Sequence, residues 1–283
     1  MVRGFACLCL LASLAGCEAV RLDIGYPGGV VGHAIEPKLP AFSQTSRVNR
    51  YLVGLAILSP LMAESVSDKD MAQQAAREIN RSLASLAQLA EAAARGRPAD
   101  YKSAGEYAFE TLEYDVQKAY YRAAKQVALN LDLDIDLADL ATANPARLLG
   151  LLSRADGLFE NSRRGAAAYR DTVTIVADAV LPADAIGASQ RVREYHRLRT
   201  VAGADAAGEK PVSAQYRALV KRLEEGANLM LDEPRIAGLL HHVWRACERL
   251  HDPYGVEAGC DNADFDGLRV ALIALNSRRA NGN

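Results

Sequence analysis

Apolar residues recur along this chain at helical spacing, most regularly between residues 72 and 93. Steps of four and three from Ala72 lead through Ala76, Ile79, Leu83, Leu86 and Ala90 to Ala93. Such a stripe occupies one face of a helix. Ser67 or Asp68 can cap its start, and Gly96 with Pro98 ends it. A second helix is expected from Asp100 to Leu129, with Ala108, Leu112, Val116, Ala119, Ala123 and Val127 on its inner face. The third seam is the longest. Asn144 caps it, Pro145 takes its first turn, and Leu148, Leu152, Ala155, Phe159, Ser162, Ala166, Tyr169, Val173, Val176 and Val180 follow before Pro182 stops it. A seven-residue period sustained this long is the pattern of a coiled-coil or long-bundle seam.

Two stretches depart from that pattern. Tyr51 to Ala63 is uncharged and apolar on every side, which predicts a buried first helix near residues 47–65. Its rise of about 20 Å falls short of the ~30 Å hydrocarbon core, and Pro60 interrupts it. The second departure is Leu129-Asn130-Leu131-Asp132-Leu133-Asp134-Ile135-Asp136-Leu137, where apolar and polar residues alternate as in a half-buried strand. Asp132, Asp134 and Asp136 would share one face, as a cation site requires. An EF-hand loop is excluded, because Leu137 stands where its glycine belongs and Ala143 where its glutamate belongs. The favoured reading is an extended or distorted crossover between helices, leucines inward and aspartates in water, with a partner-pairing strand as the alternative.

These elements predict an all-α fold: an antiparallel bundle of long helices over 46–202, followed by a smaller helical subdomain over 203–283. The boundary falls in the small-residue loop 203–212, and shorter helices are expected near 213–229, 233–250 and 264–279. Residues 17–45 are rich in glycine and proline without apolar periodicity, the composition of a tether. About 28 residues of extended chain reach roughly 90 Å. No internal repeat of fixed period points to a solenoid.

Composition narrows the function classes. Half of the 283 residues are hydrophobic and the net charge is −2, so a large core is available and no basic surface for nucleic acid is indicated. The chain carries no Gly-x-Ser-x-Gly elbow, phosphate loop or Gly-x-Gly-x-x-Gly turn. The pairs Glu224-Glu225 and Asp232-Glu233 read as solvated helix surface. His241, Glu248 and His251 are zinc-ligand types around Trp244 and Cys247, yet their spacing differs from His-Glu-x-x-His, and adjacent His241 and His242 diverge by about 100° on a helix. Surface and capping histidines are the favoured reading there. Tyr107, Tyr114 and Tyr121 recur every seven residues and line one helical face. They suit a partner surface or cover a join between helices.

The first residues carry a resemblance. Arg3, the apolar run Phe5 to Leu14 and then Leu14-Ala15-Gly16-Cys17 are similar to the signal peptide and lipobox of bacterial lipoproteins. The resemblance implies that residues 1–16 are removed and that Cys17 becomes an acylated N-terminus carrying a palmitate-type chain. It implies export and anchoring to the cell envelope, and Glu18 in place of aspartate favours the outer membrane, facing the periplasm. Of the five cysteines, Cys7 and Cys9 would leave with the signal. Cys247 and Cys260 would then meet an oxidising compartment, and a disulfide between them is expected, closing a loop with the turn Asp252-Pro253-Tyr254-Gly255.

The expected function is therefore a non-enzymatic interaction or assembly factor, without cofactor. Its contacts would be the membrane, through acyl chains, and an envelope protein. The alternatives are a metal-binding protein or metal-dependent envelope enzyme using residues 241–251, and a membrane-active exclusion or lytic factor using Tyr51 to Ala63.

Overall fold

The computed structural model of the chain describes residues 44–95, 104–133, 145–159, 163–180, 229–255, 260 and 262–280. Helix is the regular structure throughout the described residues: α1 (Gln44–Glu64), α2 (Lys69–Arg95), α3 (Ala104–Asn130), α4 (Pro145–Phe159), α5 (Arg163–Val180), α6 (Glu233–Tyr254) and α7 (Asn262–Ala280). The fold is all-α, and none of these helices is long and apolar enough to cross a membrane.

The centre of the fold is α1. A helix that is apolar on every side has no solvent face to offer, so it is stable only when covered all round. Each of the other six described helices packs against it. From Tyr51 to Ala63 every residue is buried. Gly54 permits the closest approaches: a methyl there would stand 3.1 Å from Leu148 Cδ1 and 3.3 Å from Tyr120 Cε1. Replacing Gly54 by valine is therefore expected to cost about 1–3 kcal/mol through overpacking, read from urea unfolding. An unchanged midpoint would show that α3 and α4 can yield.

The predicted stripe on α2 is buried along its whole length from Ala72 to Ala93. Asp68 is the cap: its Oδ1 accepts the Met71 N–H at 2.9 Å. On α3, Val116, Ala119, Ala123 and Val127 are buried and Leu112 is partly so. A chain of amides fastens the ends of three helices. Gln74 on α2 donates to Gln126 on α3 (2.7 Å), Gln126 to Asn130 (2.6 Å), and Asn130 to Ser65, just past α1 (3.2 Å).

Three expectations are corrected. The long third seam is two helices, α4 and α5, and both lie against α1. A single rod of that length would span over 50 Å, whereas α1 is about 32 Å long, so one straight helix could not keep both halves on it. Leu148, Leu152 and Ala155 on α4, with Val173 and Val176 on α5, still face the core as the seam predicts.

The alternating segment, expected as a crossover between helices, begins instead as the end of α3, with Leu131 and Leu133 toward the core and Asp132 in water as that reading had them. Asp132 adopts φ +49°, and the Leu133 N–H reaches back to Ala128 O at 2.9 Å. This is a left-handed helix cap with aspartate where glycine is commonest, and Leu133 folds back against the core. Asp134 to Leu137 lie outside the described residues.

The third correction concerns the C-terminal helices. α6 and α7 were expected in a smaller subdomain, but both pack on α1 and α2 and share their core, through Ile236, Leu239, Val243, Leu268 and Leu272. The expected boundary at 203–212 and the helix near 213–229 lie outside the described residues.

The C-terminal part is built with clear stop signals. Asp232 caps α6, accepting the Arg235 N–H at 3.0 Å, and Pro234 takes the first turn. Gly255, at φ +58°, closes α6, its N–H bonded to His251 O at 2.9 Å. The expected turn at 252–255 is thus the last helical turn plus its cap. Cys247 and Cys260 are disulfide-bonded, with Cα atoms 5.8 Å apart, tying α6 to the chain just before α7.

Candidate functional site

The residues singled out from sequence are dispersed. Cys17 lies outside the described residues, as do Asp134 and Asp136. Asp132 is exposed at the end of α3. His241, Glu248 and His251 are all exposed on α6, with His241 and His251 separated by about 15 Å of helix rise. Among the described residues no three His, Cys, Asp or Glu side chains come close enough to hold a metal ion. His241 instead lies beside Trp244, ring centroids 5.8 Å apart. Tyr114 and Tyr121 are half-buried along α3, and Lys118 Nζ stands 6.0 Å from the Tyr114 ring centre. Tyr107 belongs to the same helix, but its side chain is outside the described set.

Among the described residues a buried polar group lies between α1 and α3, and it centres on Tyr51. The Tyr51 hydroxyl donates to Glu113 Oε1 at 3.1 Å and accepts from Gln117 Nε2 at 3.3 Å. Arg47, one turn earlier on α1, reaches Glu113 Oε2 at 3.3 Å. Tyr120 stacks on Tyr51 with centroids 5.7 Å apart, and its hydroxyl donates to the Tyr51 carbonyl. Burial raises the Tyr51 pKa well above its ordinary value, and the adjacent Glu113 carboxylate raises it further. Burial also raises that of Tyr120. Both hydroxyls therefore stay protonated at neutral pH and act as donors. Chemically this is a carboxylate held between a guanidinium and a phenol, and the contacts bind helix to helix.

Two further buried contacts have the same character. Asn49 Nδ2 on α1 donates to Leu229 O at 2.8 Å and to Asn276 Oδ1 at 3.0 Å, while Asn276 Nδ2 on α7 donates to Leu231 O at 3.0 Å. Two asparagines thus hold the approach to α6 onto α1 and α7. On the opposite side, His242 of α6 meets Thr172 of α5, Nε2 to Oγ1 at 2.9 Å. The Thr172 proton goes to Ala168 O at 2.8 Å, so Thr172 Oγ1 accepts and His242 carries its proton on Nε2. Burial lowers the His242 pKa to about 4, assisted by the Arg249, Arg245 and His241 charges, and the ring is neutral at pH 7.

Sequence reading passed over Asn49, Tyr51, Glu113, Thr172 and His242 as participants. The available signal was a polar residue inside an apolar face, as with Asn49 in the first helix and Thr172 beside Val173. Its partner is far away in sequence, which leaves no local pattern to read.

Comparisons with known protein families, with curated proteins and with solved structures find no match for this chain.

Proposed function

We propose that this protein is an exported, lipid-anchored component of a bacterial cell envelope, acting as a non-enzymatic interaction or assembly factor. The observation that carries the reading is the order of its parts. Leu14-Ala15-Gly16-Cys17 precedes a glycine- and proline-rich stretch, and a helical body with one shared core follows. Two or more acyl chains on Cys17 give stable anchoring, where one chain is marginal. A stretch of about 28 residues would let the body work some tens of Å from the bilayer.

Support also comes from how the body uses its polar residues. Arg47, Tyr51, Glu113, Asn49, Asn276, Thr172 and His242 are engaged with one another across helix contacts. Such contacts hold helix to helix, and a body so held suits a surface that presents itself to a partner without reordering.

Two measurements test the proposal. The native chain is expected in the membrane fraction and to incorporate labelled palmitate. The Cys17→Ser form is expected to lose the label and to leave the membrane; retention there without label would sink the lipid anchor. Cross-linking in intact cells, followed by purification from detergent-solubilised envelopes, is expected to recover a defined envelope protein. Recovery of none, together with hydrolase activity in the same sample, would overturn the assembly role.

A further inference from the structure

We propose that the contact between α5 and α6 is a latch released by mild acidification, with His242 as its trigger and Thr172 as its catch. The inference stands independently of the function proposed above.

The geometry fixes where the imidazole of the neutral ring carries its proton. Its Nε2–H is satisfied by Thr172 Oγ1 at 2.9 Å. Thr172 has already given its only proton to Ala168 O, so the hydroxyl is locked as an acceptor. A second proton on the ring would need another acceptor or a compensating negative charge. His242 is 3% exposed, so a charged ring there would give up most of its hydration.

The surrounding charges make that proton less welcome still. On α6 itself, Arg249, Arg245 and His241 all oppose it. From α1 the nearby acid is Glu64, which is held by Arg249 Nη1 at 3.0 Å. From α5 the contact is the Thr172 hydroxyl, and the acids Asp171 and Asp178 are exposed. The buried acid of α2, Glu78, is bonded to Arg81, and on α7 Arg269 holds Glu233. None of these carboxylates is bonded to His242.

The sign follows from linkage. The ring binds its second proton near pH 4 in the closed state and near 6.5 once the contact opens. The open form therefore takes up more protons between those values, and stability of the contact falls as pH falls through that window. Above pH 6.5 the ring is neutral in both forms and the contact is fully stabilised. Between pH 7 and pH 5 the opening equilibrium is expected to rise about twenty-fold.

Amide hydrogen exchange on the full mature chain, corrected for intrinsic rates, reads this directly. Amides of α5 are expected to open about twenty-fold more often at pH 5 than at pH 7, while those of α2 keep their protection. In His242→Gln the side-chain amide can still donate to Thr172 but does not titrate, and the pH dependence should vanish. An equal rise in that variant, or simultaneous opening of α2 and α5, would overturn the latch. The native protein supplies a second readout: the His242 ring resonances should titrate well below pH 6.5, and a midpoint at or above 6 would equally overturn it.

Discussion

Truncating Tyr120 to alanine should cost about 3–5 kcal/mol, roughly a fifth or more of the stability of an ordinary domain. Its side chain is fully buried where α3 crosses α1. The ring stacks on Tyr51, lies against the bare backbone at Gly54, and sends its hydroxyl to the Tyr51 carbonyl. Removing the ring empties a space between α1 and α3, beside the contact of Tyr51 with Glu113. Tyr120→Phe keeps the ring and loses only the hydroxyl contact, for about 0.5–1.5 kcal/mol. Urea unfolding of both variants separates packing from hydrogen bonding. If alanine and phenylalanine cost the same, the ring is not the keystone described.

The second large effect should follow loss of the Cys247–Cys260 disulfide. At a sequence separation of 13, chain entropy alone assigns the bond about 3 kcal/mol. For a domain of this size that corresponds to a fall in Tm of roughly 6–12 °C. The location adds to the effect. Cys247 is buried among the core residues of α6, and Cys260 stands just ahead of α7, so the bond holds the α6–α7 junction beside the core. Thermal unfolding with and without reductant measures it, and Cys260→Ser should melt low in both conditions. A native protein whose Tm ignores reductant would show that packing of α7 on α2 suffices without the bond.

The helices themselves were legible in the sequence to an unusual degree for α2, where the whole stripe from Ala72 to Ala93 is buried and the cap is Asp68. The disulfide was legible too, as the pair left once Cys7, Cys9 and Cys17 were set aside with the expected signal and lipobox. The alternation after Leu129 gave the right sides but not the right backbone. Leu129, Leu131 and Leu133 alternate as a strand would, yet Leu129 is exposed at the end of α3 while Leu133 folds back across the cap. A helix end closed by a left-handed residue produces the same short pattern as a strand, and only the backbone dihedral distinguishes them. The candidate zinc residues failed for a related reason. Matching residue types on one helix say nothing about whether their side chains converge, and His241 and His251 are nearly three turns apart.

What the sequence determined by itself is therefore everything set by periodicity and by local stops. It determined that the chain is helical, where α2 runs, that the segment from Tyr51 to Ala63 must be buried, and which two cysteines can pair. Burial of that segment is a consequence of composition alone, since a helix with no polar face has nowhere to meet water. Tertiary structure alone decided that the six other described helices would lie against α1, that α6 and α7 would join the same core, and that the long seam would be divided to fit against α1. It alone paired Asn49 with Asn276, Tyr51 with Glu113, and Thr172 with His242, at sequence separations of 227, 62 and 70 residues. Hydrophobic period is written in neighbours three and four residues apart. A buried polar group is satisfied by whichever partner the packing brings within 3 Å, and that partner exists only once the helices have met.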